Sequence, residues 1–330
     1  MKKKLSFLFL ILVINIPVIG QNVGIGTMAP LARLHVADSA VVFTRNSTAL
    51  NSAANPPVQG AGVRMMWYPQ KAAFRSGLVE AGQWNRDSIG TTSFAAGYNS
   101  KASGNVSTAF GVGSVASGDY SIATGYKSTA AGTGSTVMCV FSIASGPYSV
   151  ASGYSATAIG IGATAMGIGC VASGYSSVVM GFQTRAKAQG GVSTGLFNDT
   201  LDNPLPVTPA PTDRIFQIGN GYTDNERSNA ITVLRNGNTG LGTVTPSAPL
   251  QFANSTASRK IVLWELADND HQFYGLGING ATLRYQTPSS VDDHVFYAGS
   301  GAGSSTELFR IRGNGNATLA GTLTQNSDMR

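Results

Sequence analysis

The chain has 330 residues, of which 42% are hydrophobic, only 12% are charged and 41 are glycine. Soluble domains carry about 25% charged residues, and glycine costs a helix interior about 1 kcal/mol relative to alanine, so this composition excludes a helical bundle. It also excludes a charged disordered tail and, without glycine at every third position, collagen. The net charge of +6 includes Lys2, Lys3 and Lys4. No basic run follows them, so the clustered basic face of a nucleic-acid-binding protein is absent from the sequence.

Residues 1–20 read as a secretory signal peptide. Lys2, Lys3 and Lys4 form the positive region and residues 5–14 the apolar one. Val18 and Gly20 are the small residues before the cut. Cleavage is expected between Gly20 and Gln21. The apolar run of about 15 residues is short for a membrane span of about 20, and no later segment has the length and apolarity of a spanning helix. The protein is therefore expected to be exported, and to be secreted or held at the cell surface.

Residues 21–90 are expected to form an N-terminal β module. It opens with the motif N-x-G-[IL]-G-T-x-x-P-x-x-x-L at residues 22–34, which returns at 238–250. Neither copy is the G-x-G-x-x-G of a nucleotide loop, and neither opens a helical pattern. The motif reads instead as a short strand, a Gly-Thr turn and a proline-initiated bend.

Residues 91–190 repeat every fourteen residues. Ser107, Ser121, Ser135, Ser149 and Ser177 share one phase, with Ala163 in the gap. Ala109, Ala123, Ala151 and Ala165 lie two residues on, and Gly111, Gly125, Gly153 and Gly167 two further, with Cys139 replacing glycine once. The second half of the unit gives Ala116, Ala130, Ala144, Ala158 and Ala172, each followed at +2 by Gly118, Gly132, Gly146, Gly160 and Gly174. The unit S-x-A-x-G-x-x is used twice per repeat. Recurring Ser, Ala and Gly cannot form a coiled-coil seam, and a spacing of two is the period of a strand. Each repeat therefore predicts two short strands and two tight turns, and seven repeats predict a narrow parallel β-solenoid, left- or right-handed. Its coils would lie about 4.8 Å apart.

Only small side chains fit inside so thin a coil. The alternate rows are larger, with Phe110, Met138, Met166 and Met180 in one and Ile122, Val150 and Val178 in another. Thin coils with apolar outer rows bury too little surface alone. Self-association is therefore expected, most naturally as a homotrimer about a threefold axis. Cys139 and Cys170 are two coils and three positions apart, about 10 Å along the axis, beyond the reach of a disulfide. Both are expected to be free.

This block is similar to the head repeats of trimeric autotransporter adhesins of the YadA type, whose pattern is x-S-x-A-x-G-x-x-S-x-A-x-G-x. Residues 106–118 (V-S-T-A-F-G-V-G-S-V-A-S-G) and 148–160 (Y-S-V-A-S-G-Y-S-A-T-A-I-G) carry the match. The resemblance implies an all-β, left-handed parallel β-roll with three chains per rod. It also implies non-enzymatic adhesion to extracellular matrix, glycan or another cell-surface ligand. The sequence has neither that family's long heptad stalk nor its C-terminal membrane barrel, so anchoring by that family's means is not expected.

Residues 191–212 read as a proline-rich linker, with four prolines within 203–212. Residues 213–326 read as a C-terminal β module. Its strand candidates are 214–221, 230–237, 261–266, 271–278, 281–286, 294–298 and 307–312, with an Asn-Gly turn at 236–237. The repeated motif resembles the G-I-G-T-x-x-P segments of tail fibres and exported surface proteins. Residues 327–330 resemble the truncated start of an intramolecular chaperone auto-processing domain of the tail-spike endosialidase type. In that family the cut precedes the serine of S-D-x-R, here Ser327, which could be a catalytic nucleophile only if the chain continued past Arg330 with a lysine to activate it. An alternative reading is thus the N-terminal fragment of a self-cleaving fibre, or a glycan-active spike.

No cofactor motif is present. His35, His271 and His294 lie beside carboxylates at Asp268, Asp270, Asp292 and Asp293 only in the last two cases, and these read as solvated loops rather than a metal site. Trp67, Trp84 and Trp264 read as core or interface anchors. The repeat block holds five charged residues, Lys101, Asp119, Lys127, Arg185 and Lys187, and no acid–base pair recurs in register.

Overall fold

The computed structural model describes residues 22–38, 40–50 and 53–322. The signal-cleavage residues Gly20 and Gln21, and Ser327, lie outside them. The chain divides into two compact units, residues 1–51 and 52–330.

In the first unit Val23–Ile25 pairs in parallel with Leu34–Val36, Val23 opposite Leu34. The second copy of the motif, in the other unit, does the same: Thr239–Leu241 pairs in parallel with Leu250–Phe252, Thr239 opposite Leu250. The turn glycines Gly26 and Gly242 are both left-handed, at φ 77° and 69°. A Cβ on Gly24 or Gly240 would stand 2.3 or 2.4 Å from the carbonyl oxygen of Thr27 or Thr243. The motif thus builds one narrow parallel coil, where the sequence predicted a strand, a turn and a bend but no partner strand.

The second unit is organised by a 14-stranded sheet. It starts with the antiparallel hairpin Gly62–Tyr68 and Ala73–Val79. Ala73–Val79 then pairs in parallel with Phe94–Tyr98, the first long strand of the coils. From there each long strand lies beside the one fourteen residues on, Thr108–Val112 beside Ile122–Tyr126 and so on to Val192–Leu196. The two-residue strands, from Lys101–Ala102 to Arg185–Ala186, stack into a seven-stranded parallel sheet opposite. The segment is a β-solenoid of seven coils, and the described residues contain almost no helix.

The coil interior is made of methyl groups and hydroxyls. Ala95, Ala109, Ala123, Ala151 and Ala165 face Ala102, Ala116, Ala130, Ala144 and Ala158, all fully buried, and Val137 and Val179 are the largest substitutes in the first row. Two buried serine columns line the bore, and most of their hydroxyls donate to backbone carbonyls, Ser135 and Ser177 excepted. Ser107, Ser121 and Ser149 each donate to the glycine carbonyl three residues back at 2.6 Å. Ser114, Ser128 and Ser142 donate at 2.8 Å to the residue eleven ahead. Cys170 occupies this second column, its thiol 3.1 Å from the Gly181 carbonyl. Both cysteines are free, Cys170 buried and Cys139 exposed.

Glycine is demanded by the stacking distance. A Cβ on Gly153 (φ 130°) would stand 2.0 Å from the carbonyl oxygen of Gly167 in the next coil. Cys139 occupies that row with φ 90°. There the pairing of Thr136–Val140 with Ile122–Tyr126 lapses opposite Thr124 and Gly125.

Both ends of the stack are closed by buried polar side chains. At the first coil the fully buried Arg75 donates to the carbonyls of Phe74, Ser93 and Ala102 at 2.7–3.0 Å and to Ser93 Oγ. Burial pushes its guanidinium down to about 10, so it stays protonated at neutral pH. Trp84, also fully buried, donates from Nε1 to the Ser100 carbonyl at 2.9 Å. At the last coil Val192–Leu196 pairs in parallel with Arg214–Asn220, which turns antiparallel to Asn229–Leu234. Beneath them Asn198, Gln217, Asn229, Thr232 and Ser193 share one buried hydrogen-bond network. The proline-rich segment lies against this end: Tyr175 N–H donates to the Pro206 carbonyl and Lys187 Nζ to the carbonyls of Thr200 and Asp202.

Beyond the second motif copy two three-stranded antiparallel sheets follow, Ala257–Glu265 with Phe273–Asn279 and Thr282–Gln286, then His294–Gly301 with Ser304–Ile311 and Ala317–Leu319. The hairpin turn at Asn314-Gly315-Asn316 copies that at Asn236-Gly237-Asn238. In each, the last asparagine's N–H donates to the first one's Oδ1 at 3.0 Å.

Gly153→Ala is expected to cost about 3 kcal/mol or more, because backbone must move to admit the methyl. Cys139→Gly is expected to gain about 1 kcal/mol by releasing strain at that φ. Thermal melting of the two variants beside the parent measures both, and the opposite order would contradict the stacking account. Arg75→Met removes four hydrogen bonds at a buried site and is expected to cost about 3 kcal/mol, read as a lower denaturant midpoint.

Candidate interaction surface

Alternation along each strand sends the small residues inward and the large ones outward. Ser107, Ala109, Ala116, Gly118, Ser121, Ala123, Ser149, Ala151, Ala158 and Gly160 are buried, and Gly111, Gly125 and Gly153 half-buried. They build the coil and are not available to a ligand. What the solenoid offers is its outer rows.

The most continuous row ends each long strand. Tyr98, Val112, Tyr126, Val140, Tyr154, Ile168, Phe182 and Leu196 follow one another in register without a polar interruption. All but Val140 are exposed. Phe141, at the adjoining turn, sits edge-on between Tyr126 and Tyr154, with ring centroids at 5.3 and 5.8 Å. Lys127 lies over the rings of Tyr126 and Phe141 at 5.3 and 5.8 Å. The next outward row carries the exposed Phe110, Met138, Met166 and Met180 with Thr124, Ser152 and Thr194 between or beyond them. The strip that ends the long strands is thus the most apolar part of this face of the 14-stranded sheet. Monomeric proteins rarely leave so long a contiguous apolar strip in water. The outward row of the seven-stranded sheet is more mixed, with Lys101, Thr129, Thr157 and Arg185 among Val115, Ile143 and Val171.

The ionisable groups are dispersed, and several are engaged within the protein. Asp119 accepts the Asn105 backbone N–H at 2.8 Å, and Lys187 holds the proline-rich segment. His35 Nδ1 accepts from Leu31 N–H at 3.2 Å. Asp268 pairs with Arg259 at 2.6 Å rather than with His271. Asp292 accepts from Ser289 and Tyr274, hydrogen bonds that hold its carboxyl below the usual range. Asp293 is paired with Arg310, which lowers it likewise. His294 borders a separate depression with Ser289 and Arg312. Among the described residues no cluster of three metal-ligating side chains forms. Trp84 is a core residue, whereas Trp67 and Trp264 are partly exposed.

A cavity of about 730 Å³ lies between the proline-rich segment and the second motif copy, lined by Leu205, Pro209, Leu234, Val244 and Pro246 with Asp202 and Arg214. Burial raises Asp202 above the usual carboxylate range, against the opposing pull of Arg214 and Lys187. Arg214 is paired with Asp199 and lies 3.8 Å from Asp202, and Lys187 lies 3.7 Å from it. The charges at this wall compensate one another within the protein.

A parallel solenoid with a methyl-lined bore and an apolar outer strip defines a β-solenoid repeat protein. Residues 88–114, 107–128, 116–138 and 144–169 match the YadA head domain repeat. The coils within residues 88–138 and 144–169 are thus YadA head domain repeats. No curated protein matches the sequence.

Proposed function

We propose that this chain is an exported, non-enzymatic fibre protein, secreted or held at the cell surface. Its solenoid head associates with two further copies of itself and mediates adhesion to matrix, glycan or other cells. The observation that carries this reading is the uninterrupted apolar row from Tyr98 to Leu196, in a segment whose few charged groups are dispersed. YadA head repeats support the adhesive, self-associating class. On this reading residues 1–20 are removed on export, residues 21–90 and 213–326 flank the head, and of the linker expected at 191–212 the strand Val192–Leu196 belongs to the head, so that the residues after it join head to C-terminal module.

The apolar row gives the reading a direct handle. If it is buried between copies, the melting temperature of the signal-free chain rises with protein concentration. The double variant Tyr154→Glu, Ile168→Glu places charge in that seam and is expected to remove the concentration dependence. Equal dependence in both proteins would place the contact elsewhere. Adhesion is tested by retention of the purified chain on matrix-coated and glycan-coated surfaces. Retention no greater than that of an unrelated solenoid would contradict it.

A further inference from the structure

The first strand of the 14-stranded sheet, Gly62–Tyr68, is turned inside out. A strand with one face in water ordinarily alternates apolar residues inward with polar ones outward. Here Val63, Met65 and Trp67 point outward, 76%, 76% and 39% exposed, and the intervening positions hold Arg64, Met66 and Tyr68. Met66 and Tyr68 close a core with Trp84 and Ile89, so the hairpin's interior is complete without the outer three. Arg64 is used on the inner side, where it donates to the Gly60 carbonyl at 2.7 Å and lies 5.5 Å from the centre of the Trp84 ring. The second strand, Ala73–Val79, repeats the inversion, with Arg75 buried and Phe74 and Leu78 on the outer side.

The outward residues meet across the strands. Trp67 lies in register with Phe74 and Phe94, and Val63 with Leu78 and Tyr98. The rings of Phe74 and Phe94 stack with centroids 5.7 Å apart. Between these rows run Met65, Ser76 and Ala96. Four of these nine residues are aromatic and none is charged. The patch is continuous with the row proposed above as the contact between copies, because Tyr98 belongs to both. Further along the same face the flanking rows admit Thr108, Thr124, Thr136, Ser152 and Thr164. At the other end of the sheet the outward Ile218, Ile231 and Val233 are already half-buried in the single chain.

Breadth is what the Tyr98–Leu196 row lacks. A stable interface takes about 800 Å² from each partner, and a strip one side chain wide must be widened somewhere to supply it. Tryptophan is enriched among the residues that carry most of an interface's energy. The inward arginine on the edge strand also disfavours addition of another strand to that edge, so the contact is made by the face. We propose that the outer face of the hairpin Gly62–Tyr68 and Ala73–Val79, with Trp67 as its principal residue, anchors the contact between copies by packing on the same hairpin of neighbouring copies. The hairpin lies outside the residues that match the head repeats. This anchor rests on the self-association proposed above and names the residues that hold it.

The test is sedimentation equilibrium of the full signal-free chain across a concentration series, with the variants Met65→Glu, Trp67→Ser and, as control, Leu201→Ser. Met65 stands mostly in solvent in the single chain, so Met65→Glu leaves the fold in place, and circular dichroism checks this for every variant. Met65→Glu and Trp67→Ser are each expected to raise the concentration at which copies separate by about tenfold or more. Leu201→Ser removes an apolar residue that is 90% exposed and outside the sheet, and is expected to leave that concentration unchanged. Association of parental strength in both hairpin variants overturns the anchor and leaves self-association through the Tyr98–Leu196 row standing. Weakening by Leu201→Ser as large as that by Met65→Glu also overturns the anchor. A parent that is a single chain at every concentration overturns both the anchor and the association.

Discussion

The backbone of each coil approaches the backbone of the next so closely that no Cβ fits between them. At Gly153 the nearest carbonyl would be 2.0 Å from such an atom. This approach fixes the glycine rows, and the bore they leave is filled by alanine methyls and serine hydroxyls. A bore of that width admits no charged side chain along its length, which accounts for the low charge of the sequence. Larger side chains have only the outer face to occupy. Charge enters the interior only where the stack ends, as Arg75 under the first coil and as the Asp199–Arg214 pair near the last.

Function then depends on the outer rows. A solenoid this thin buries little of its own apolar surface, because area shrinks more slowly than volume. The row from Tyr98 to Leu196 remains exposed in the single chain, and a second copy presenting the same row is its natural cover. The opposite sheet and the turn edges are left for other contacts. Self-association and ligand contact can therefore use different faces of one coil without competing.

Much of this was readable in the sequence because the repeat states it many times over. The spacing of two between Ser107, Ala109 and Gly111 gave the strand period, and the fourteen-residue offset gave the parallel register. Features that occur once were harder. Nothing about Arg75 in the sequence says that its partners would be carbonyls of a later coil. The repeat shows the serines at 114, 128 and 142, but not that their hydroxyls bond the carbonyls of Gly125, Cys139 and Gly153 in the next coil. The parallel pairing within the N-x-G-[IL]-G-T motif was missed because parallel strands ordinarily need a crossover of a dozen residues or more, and here a tight coil supplies it with fewer.

The central claim is that these coils are stable and functional as an assembly of copies around the apolar row. The most direct measurement is the solution mass of the signal-free chain by sedimentation equilibrium or light scattering. The account requires three times the mass of one chain; a single-chain mass, with the coils folded and the apolar row open to water, would contradict it.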